Sequence, residues 1–356
     1  MMEEFKLIKV SGSANDRGKQ LGRLAKQEIQ HNIEAYKEIF KKNANIDWES
    51  AKKKAADYIP WIEAYDNEIM EEIRGISEGS GFDLLEITAL NARSEIVLNS
   101  DGCTSIASIP ETNEEKVTYL GQNWDWHGLV KKGVILLDII QTPRPRILMA
   151  TEAGIVGKIG MNEKGLGVCL NLLGTSQHVK EGVPIHVILR GILNSNNINQ
   201  AIGQIGRLQR GVAANYLIAH AEGEVLNVES TPTDYDVLYP QDGYIAHANH
   251  FIGPRKVNIN DTARILYPDT HLRQGVANKL LNKAEQINDK NLKSIFSNHI
   301  GYPDSICRHG EDYPTDLGRP QASDTAFSII MNLTMRRFDI TVGTPCEHPY
   351  KTYTFE

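Results

Sequence analysis

Cysteine is scarce in this sequence, and long apolar runs and an excess of basic residues are missing. The four cysteines, Cys103, Cys169, Cys307 and Cys346, lie far apart and include no C-x-x-C pair. This distribution predicts neither a disulfide framework nor a zinc knot, and we expect at most one cysteine to need a special explanation. No run approaches the roughly 18 apolar residues of a membrane span. The net charge of −7 argues against nucleic acid and anionic membranes as partners, since both favour basic surfaces.

The remaining composition is that of an ordinary soluble globular protein. Hydrophobic residues make up 41% of the chain and charged residues 23%. A length of 356 residues can bury one large core or two ordinary ones. The N-terminus has neither the basic start nor the apolar middle of a signal peptide, so we expect a cytoplasmic protein.

The periodicity of apolar residues changes once along the chain. From Arg17 to about Lys42, and again through 48–66 and 67–78, apolar residues recur at helical spacing, and Asp83 suits the start of a further helix. After Cys103 the period becomes two, which predicts strands at 117–126, 134–140, 147–150, 216–220, 224–229, 326–332 and 337–342, and a hairpin over 157–171. Helix pairs are predicted at 184–194 with 198–208, and at 262–284 with 290–299. The pattern predicts one compact α+β unit, with antiparallel sheets and helices stacked outside them.

The change in periodicity falls at the Gly102–Cys103 bond. It marks either a domain junction or a bond that the protein cuts in itself. A cut would leave Cys103 with a thiol and a free α-amine, which titrates near 8 and can act as the general base. Gly102 has no side chain to obstruct attack of the thiol on its carbonyl. The alternative is a small buried residue that opens a strand.

Three further segments carry polar residues that could assist a nucleophile. The predicted strand at 117–126 places Asn123 and Asp125 on one face and Trp124 and Trp126 on the other. A carboxylate beside an amine can orient it and tune its protonation. The alternative is an edge strand with ordinary polar residues.

The segment Ala246–Phe251 contains an asparagine and two histidines. The side-chain N–H of Asn249 is a suitable oxyanion donor, although it could equally satisfy a turn. His247 and His250 are too weak a pattern for a metal site without a clustered third ligand. Ser230, at the end of a predicted strand, could hold an amine in place. We therefore predict no metal and no cofactor.

Several motifs, in this order, resemble one known family. They are Asp-Gly-Cys-Thr at 101–104, Gly-Gln-Asn-Trp-Asp-Trp at 121–126, Thr-Glu-Ala-Gly-Ile-Val-Gly-Lys-Ile-Gly at 151–160, His-Ala-Asn-His at 247–250 and Tyr-Pro-Asp-Ser-Ile-Cys-Arg at 302–308. The chain resembles the isopenicillin N acyltransferase family, or acyl-CoA:6-aminopenicillanic acid acyltransferase family. Its members are N-terminal-nucleophile hydrolases with a four-layer αββα fold, made as precursors that cut themselves at a Gly–Cys bond.

The resemblance implies a set of site residues. It makes Cys103 the nucleophile, places Asp125 beside it, puts Asn249 in the oxyanion hole, and matches Ser230 to a serine needed for processing or acyl transfer. The residues expected to bind substrate are Asn123, Trp124, Trp126, Asn171, Arg308 and Arg319. The last two compete for the place of an arginine found in the fungal penicillin-forming enzymes.

The function implied is that of a self-processing amidohydrolase or acyltransferase acting through an acylated Cys103. Cleavage would give an α chain of residues 1–102 and a β chain of residues 103–356, associated as a heterodimer. The expected substrate is a small-molecule acyl amide or an acyl-CoA. One alternative is an acyl-CoA-dependent N-acyltransferase of the penicillin-forming type. A second is an uncut, non-catalytic protein that binds acylated small molecules.

Overall fold

Strands and helices cover most of the described chain. The computed structural model describes residues 4–97, 102–176, 179, 181–254, 259–312 and 323–355. The strands are β1 (Lys6–Ser11), β2 (Gly102–Ser108), β3 (Tyr119–His127), β4 (Val134–Ile140), β5 (Ile147–Glu152), β6 (Ile159–Asn162), β7 (Leu166–Leu172), β8 (Ala214–His220), β9 (Val225–Ser230), β10 (Tyr235–Leu238), β11 (Tyr244–His247), β12 (Ser323–Asn332), β13 (Arg337–Ile340) and β14 (Lys351–Thr354). The helices are α1 (Ala14–Leu24), α2 (Lys26–Ala44), α3 (Trp48–Ala56), α4 (Ile59–Tyr65), α5 (Asn67–Ser80), α6 (Leu84–Asn91), α7 (Arg93–Ile96), α8 (Ile185–Leu193), α9 (Ile198–Gly206), α10 (Ala263–Leu266), α11 (Asp269–Lys283) and α12 (Asp289–Phe296).

The strands of the described chain form two sheets. The larger has the order β1-β4-β5-β6-β7-β8-β9-β10, and the smaller has the order β11-β2-β3-β12-β13-β14. Neighbouring strands are antiparallel, as predicted, except that β1 pairs with β4 in parallel. This exception arises because the N-terminal helices and the first strands of the smaller sheet lie between β1 and β4 in sequence, and a long connection permits parallel pairing.

The two sheets pack face to face, with helices on both outer faces. Between the sheets, Ser105 of β2 donates a hydrogen bond of 2.6 Å to Asn171 of β7. Helices α8 and α9 pack on the larger sheet, and α11 and α12 pack on the smaller one. On the smaller sheet, Ile106 and Tyr119 share an apolar cluster with Phe296 of α12. The predicted four-layer αββα arrangement is therefore confirmed.

The N-terminal helices are held together by a close contact between glycines. Gly18 and Gly22 of α1 lie against Gly75 and Gly79 of α5. A Cβ atom added at Gly18 would lie 2.1 Å from the carbonyl oxygen of Glu72. The absence of side chains at this contact lets the two backbones approach, so these glycines set the distance between the helices.

Buried polar contacts join the N-terminal helices to the sheet region. Glu72 of α5 accepts hydrogen bonds from Arg17 and from Arg190 of α8, the latter at 2.7 Å and 2.8 Å. Asn32 of α2 donates to the carbonyl oxygens of Gly133 and Ala153, at 3.0 Å and 2.9 Å. Residues on the two sides of the Gly102–Cys103 bond therefore share one polar and apolar interior.

None of the helices in the described ranges has both the length and the apolar character needed to cross a membrane.

Candidate active site

The Gly102–Cys103 bond lies at the start of β2, a central strand of the smaller sheet. In the register with β3, Gly102 is opposite Asp125, Cys103 is opposite Trp124, and Thr104 is opposite Asn123. Cys103 is 1% exposed and forms no disulfide. Since directly paired residues point to the same face of a sheet, the Asp125 side chain lies on the face of Gly102 and the Cys103 side chain on the face between the sheets.

Asp125 is fully buried beside the Gly102–Cys103 bond. One carboxylate oxygen, Oδ1, accepts a hydrogen bond of 2.7 Å from Thr325 Oγ1. The other, Oδ2, has no hydrogen-bond partner among the described residues and would lie 3.0 Å from a Cβ atom added at Gly102. Burial raises the pKa of Asp125 to about 7, against the opposing effects of Arg308 and Arg273. The carboxyl group can therefore exchange a proton near neutral pH.

Asn249 contacts the backbone of Cys103 through its amide oxygen. The Cys103 N–H donates to Asn249 Oδ1 at 2.8 Å, and Arg273 Nη2 donates to the same oxygen at 2.9 Å. Asn249 Nδ2 donates to the carbonyl oxygen of Leu172 at 3.1 Å. Because both neighbours of Oδ1 can only donate and Leu172 can only accept, these partners fix the orientation of the amide. An amide NH₂ carries two hydrogens, and this contact uses one of them.

Two buried arginines complete the site, joined through one carboxylate. Arg273 Nη1 donates to the carbonyl oxygen of Cys103 at 2.5 Å, and Arg273 Nε donates to Asp269 Oδ2 at 3.1 Å. Arg308 Nη2 also donates to Asp269 Oδ2. Arg308 Nε lies 3.8 Å from Asp125 Oδ2. The site is thus a continuous chain of polar and charged contacts from Asn249 to Asp125.

Three residues of the site were not predicted from the sequence: Arg273, Asp269 and Thr325. Asp269 and Arg273 are four residues apart in a helix, which is the usual spacing of a solvent-exposed ion pair. Here the pair is buried, because α11 packs against β2 and β11. Thr325 lies in β12 and belongs to none of the sequence motifs given above. No local signal distinguishes these residues from surface ones.

Asn171 lies between the sheets, two residues along β7 from the buried Cys169. Its Oδ1 accepts from Ser105, and its Nδ2 donates to the carbonyl oxygen of His247 at 3.1 Å. Cys103 and Ser105 share one face of β2, so Asn171 lies on the side of the sheet that carries the thiol. Asn171 is therefore close to the candidate nucleophile in the layered structure, where it forms part of a buried polar network.

Ser230 lies on the opposite face of the larger sheet. Its hydroxyl donates to the carbonyl oxygen of Ala214 at 2.9 Å. The preceding residue, Glu229, points between the sheets and accepts from His247 at 2.8 Å. Side chains alternate along β9, so the Ser230 hydroxyl faces away from the thiol side. The structure does not bring Ser230 together with Cys103.

The tryptophans expected to bind substrate are buried in the core. Trp124 is 1% exposed, with the Lys158 ammonium 3.3 Å from its ring centroid, and Trp126 is 6% exposed, with the Arg93 guanidinium 4.8 Å from its ring centroid. Asn123 donates hydrogen bonds of 2.8 Å to two backbone carbonyls of the segments around α12. In this structure all three residues stabilise the interior and present no surface to a substrate.

The remaining candidates are two arginines and two histidines. Arg308 lies at the site, whereas Arg319 lies outside the described residues. His247 and His250 do not form a metal pair, because His247 contacts Glu229 and His250 contacts Thr270 at 2.9 Å.

Two stacked sheets with helices on both outer faces, and a cysteine at the start of an interior strand, give the described chain the four-layer αββα fold that the sequence motifs imply. Comparison with known sequences then gives the family. The family model described as "Acyl-coenzyme A:6-aminopenicillanic acid acyl-transferase" matches residues 112–346. The chain is 31% identical over 292 residues to the acyl-coenzyme A:6-aminopenicillanic-acid-acyltransferase 40 kDa form of Emericella nidulans, covering 80% of this chain and 77% of that protein. The chain belongs to this acyltransferase family, as the sequence motifs predicted.

Solved structures provide weaker likenesses. A variant of conjugated bile acid hydrolase from Clostridium perfringens matches with a TM-score of 0.47 and 14% identity, over 71% of this chain and 97% of that chain. Penicillin V acylase from Agrobacterium tumefaciens matches with a TM-score of 0.40 and 12% identity, over 67% of this chain and 83% of that chain. The family assignment rests on the two sequence comparisons.

Proposed function

We propose that this protein cuts its own Gly102–Cys103 bond and then acts on acyl amides through an acylated Cys103. Membership of an acyltransferase family makes it an enzyme of acyl-group chemistry. The observation that carries the rest of the proposal is the surroundings of that bond. The buried Asp125 carboxylate lies against Gly102, and Asn249 and Arg273 bind the N–H and the carbonyl of Cys103.

The self-cleavage step starts at the Cys103 thiol. The sulfur attacks the Gly102 carbonyl carbon, a C–S bond replaces the C–N bond, and the nitrogen of Cys103 leaves as a free amine that takes up the proton lost by the thiol. Water then hydrolyses the thioester, which releases the Gly102 carboxylate and restores the thiol. The products are chains 1–102 and 103–356. Asp125, with a pKa near neutrality, is the group that can pass a proton to the leaving nitrogen.

In the cut enzyme the same contacts take on a second role. Asn249 Oδ1, which binds the amide N–H of Cys103, would bind its new α-amine and orient it toward the thiol. The α-amine accepts the thiol proton as the sulfur attacks the substrate carbonyl. The amide hydrogen of Asn249 that does not bind Leu172 is a donor for the resulting oxyanion, an interaction worth about 3 kcal/mol in other enzymes. Arg273 would hold Asn249 and the Cys103 carbonyl in place throughout.

Access to the nucleophile requires the cut. Cys103, Asp125 and Asn249 are all at most 1% exposed in the intact chain. Cleavage would free the chain end at Gly102 and open a path to the thiol from that side. The proposal therefore predicts that the intact chain is inactive without a separate inhibitory segment.

Intact mass of the purified protein tests the cut directly. We expect masses matching 1–102 and 103–356 for the wild type, and one uncut mass without activity for Cys103→Ala. Cys169→Ala is the matched control, because Cys169 is another buried cysteine of the same core, and it should still be cut. A wild-type chain that is active while uncut would overturn the proposal. A chain that is uncut and inactive but binds acylated small molecules would support the binding protein instead.

The acyl acceptor is tested separately, with the cut enzyme. Penicillins, N-acyl amino acids and acyl-CoA thioesters serve as acyl donors, with and without 6-aminopenicillanic acid as acceptor, and products are identified by mass. We propose acyl amides and acyl-CoA as the donor classes, because the family transfers acyl groups from coenzyme A. Release of free acid alone would identify a hydrolase, and an acylated amine a transferase. Neither product from any donor would contradict the proposed chemistry.

A further inference from the structure

Four side chains from three separate segments converge near the surface, on the far side of Arg308 from the carboxylates of the candidate active site. They are His299, Cys307, His309 and Cys346, and their ligand atoms all lie within 4.8 Å of one another. His299 follows α12, Cys307 and His309 belong to the next loop, and Cys346 belongs to the turn after β13. Neither cysteine is in a disulfide.

Four of the six distances between the ligand atoms are close to those around one tetrahedral metal ion. Cys307 Sγ and Cys346 Sγ are 3.5 Å apart, His299 Nε2 and His309 Nε2 are 3.1 Å apart, and His309 Nε2 lies 3.6 Å and 3.3 Å from the two sulfurs. In a tetrahedral zinc site, bonds of roughly 2.3 Å to sulfur and 2.0–2.1 Å to nitrogen separate two sulfurs by about 3.8 Å, two nitrogens by about 3.3 Å, and sulfur from nitrogen by about 3.6 Å. Each observed distance lies within about 0.3 Å of these values.

Hydrogen bonding alone does not account for this convergence. His309 Nε2 has three close neighbours, namely His299 Nε2 and both sulfurs. A ring nitrogen has either one hydrogen or one lone pair, so it satisfies a single partner well. A cation at the centre would satisfy all four atoms at once, and two thiolates would neutralise its double charge.

We propose that His299, Cys307, His309 and Cys346 bind one zinc ion as a structural site. A tetrahedral set of two sulfurs and two nitrogens is typical of zinc, and four protein ligands leave no open position for catalysis. The sequence predicted that at most one cysteine needs a special explanation, whereas this site uses two cysteines. The site could not be recognised from the sequence, because Cys346 lies far along the chain from the other three ligands and no C-x-x-C or H-x-x-H pair marks it.

The site would also position an arginine of the candidate active site. Arg308 lies between Cys307 and His309, and its side chain points inward to Asp269 and Asp125. Binding of both flanking residues to one ion would fix the backbone from which Arg308 extends. This consequence rests on the proposed function, whereas metal binding itself does not.

Metal analysis and cobalt substitution test the proposal without measuring activity. The full chain, purified without an affinity tag and fully reduced, is stripped with a chelator and titrated with Zn²⁺ or Co²⁺. We expect one zinc per chain by elemental analysis. The Co²⁺ form should show the near-ultraviolet thiolate-to-cobalt band and the strong visible bands of a tetrahedral ion.

Variants then assign the ligands. Cys346→Ser and His309→Ala should bind Zn²⁺ at least about tenfold more weakly, with the thiolate band reduced in the first. Cys169→Ser and His31→Ala, which alter the same residue types elsewhere, should bind like the wild type. Cys346 is exposed, so its substitution should leave the fold intact, and circular dichroism checks this.

Two results would overturn the proposal. One is a wild-type protein that takes up no zinc and gives no tetrahedral cobalt spectrum after full reduction. The other is a Cys307–Cys346 disulfide that forms in air even with excess Zn²⁺ present, which would identify a redox pair instead. Zinc uptake is measured both in the wild type and in Cys103→Ala, which should stay uncut. A failure of self-cleavage therefore does not affect this test.

Discussion

The carboxylate of Asp125 lies directly against Gly102, so that a Cβ atom added at Gly102 would meet Asp125 Oδ2 and Asp125 Cβ at 3.0 Å. Arg308 Nη1 would lie 3.1 Å from the same Cβ. A glycine at this position lets a carboxylate and a guanidinium approach the bond that we propose is cut. A glycine is therefore favoured at position 102 because a side chain would lack space there, and not because of the backbone conformation.

Substitution of Gly102 by alanine should slow self-cleavage. The added methyl group must displace the Asp125 carboxylate or the Arg308 guanidinium, and overpacking of this kind costs about 1–3 kcal/mol. We expect the cleavage rate to fall roughly tenfold or more, measured as the conversion of freshly made precursor on denaturing gels. Gly203→Ala is the control, because a Cβ there meets nothing within 4 Å. Cleavage of Gly102→Ala at the wild-type rate would show that this packing does not matter.

The raised pKa of Asp125 should appear in the pH dependence of stability. The pKa of Asp125 is about 7 in the folded chain, whereas the ordinary value of an aspartate is 3.8. At pH values between these two, the folded state therefore binds more protons than the unfolded state. The free energy of unfolding contributed by Asp125 therefore falls as pH rises, by up to about 4 kcal/mol across this window.

Urea unfolding of two uncut variants measures this effect. Cys103→Ala keeps the titrating carboxyl group, and Cys103→Ala with Asp125→Asn lacks it. As the pH rises from about 4 to about 7, the free energy of unfolding of the first variant should fall relative to that of the second. A difference that stays constant over this range would contradict a raised pKa at Asp125.

Arg273 should affect the reaction through the groups that it positions. It donates to the Cys103 carbonyl and to Asn249 Oδ1, and a lysine could not keep both contacts in this planar arrangement. We expect Arg273→Lys to lower the self-cleavage rate by about 100-fold, as small misplacements of reacting groups do. In the cut fraction, kcat should fall more than KM rises. Arg264→Lys, in the neighbouring α10, serves as the control. Equal effects of the two substitutions would contradict a positioning role for Arg273.

The sequence predicted those features of the fold that depend on local pattern. Helical periodicity identified the N-terminal helices, although it joined α1 with α2 across Ala25 and did not separate α3 from α4. Alternation identified β3, β4, β7, β8 and β9. The strands β10, β11 and β14 were missed, and each has only four residues to carry alternation. The parallel pairing of β1 was missed because it depends on a distant strand.

The candidate site was predictable only where a motif carried it. Cys103, Asp125 and Asn249 belong to motifs of the family, and the structure places them around one bond. Arg273 and Asp269 belong to no motif, and their role depends on the burial of a helical ion pair. Trp124 and Trp126 were expected to bind substrate, whereas β3 is an interior strand of its sheet and both side chains are buried.

The two chains formed by cleavage should stay associated through Glu72. This carboxylate lies in the part before Gly102 and binds Arg190 in the part after it, with both side chains at most 2% exposed. Glu72→Gln would leave two buried arginines, Arg17 and Arg190, without their counter-charge, at a cost of roughly 3–5 kcal/mol. We expect the cut wild-type chains to elute together in gel filtration, and the cut Glu72→Gln chains to separate at lower urea. Glu78→Gln is the control, because Glu78 lies on the same helix in an exposed pair with Lys19. Equal urea midpoints for the two variants would show that the buried ion pair does not hold the chains together.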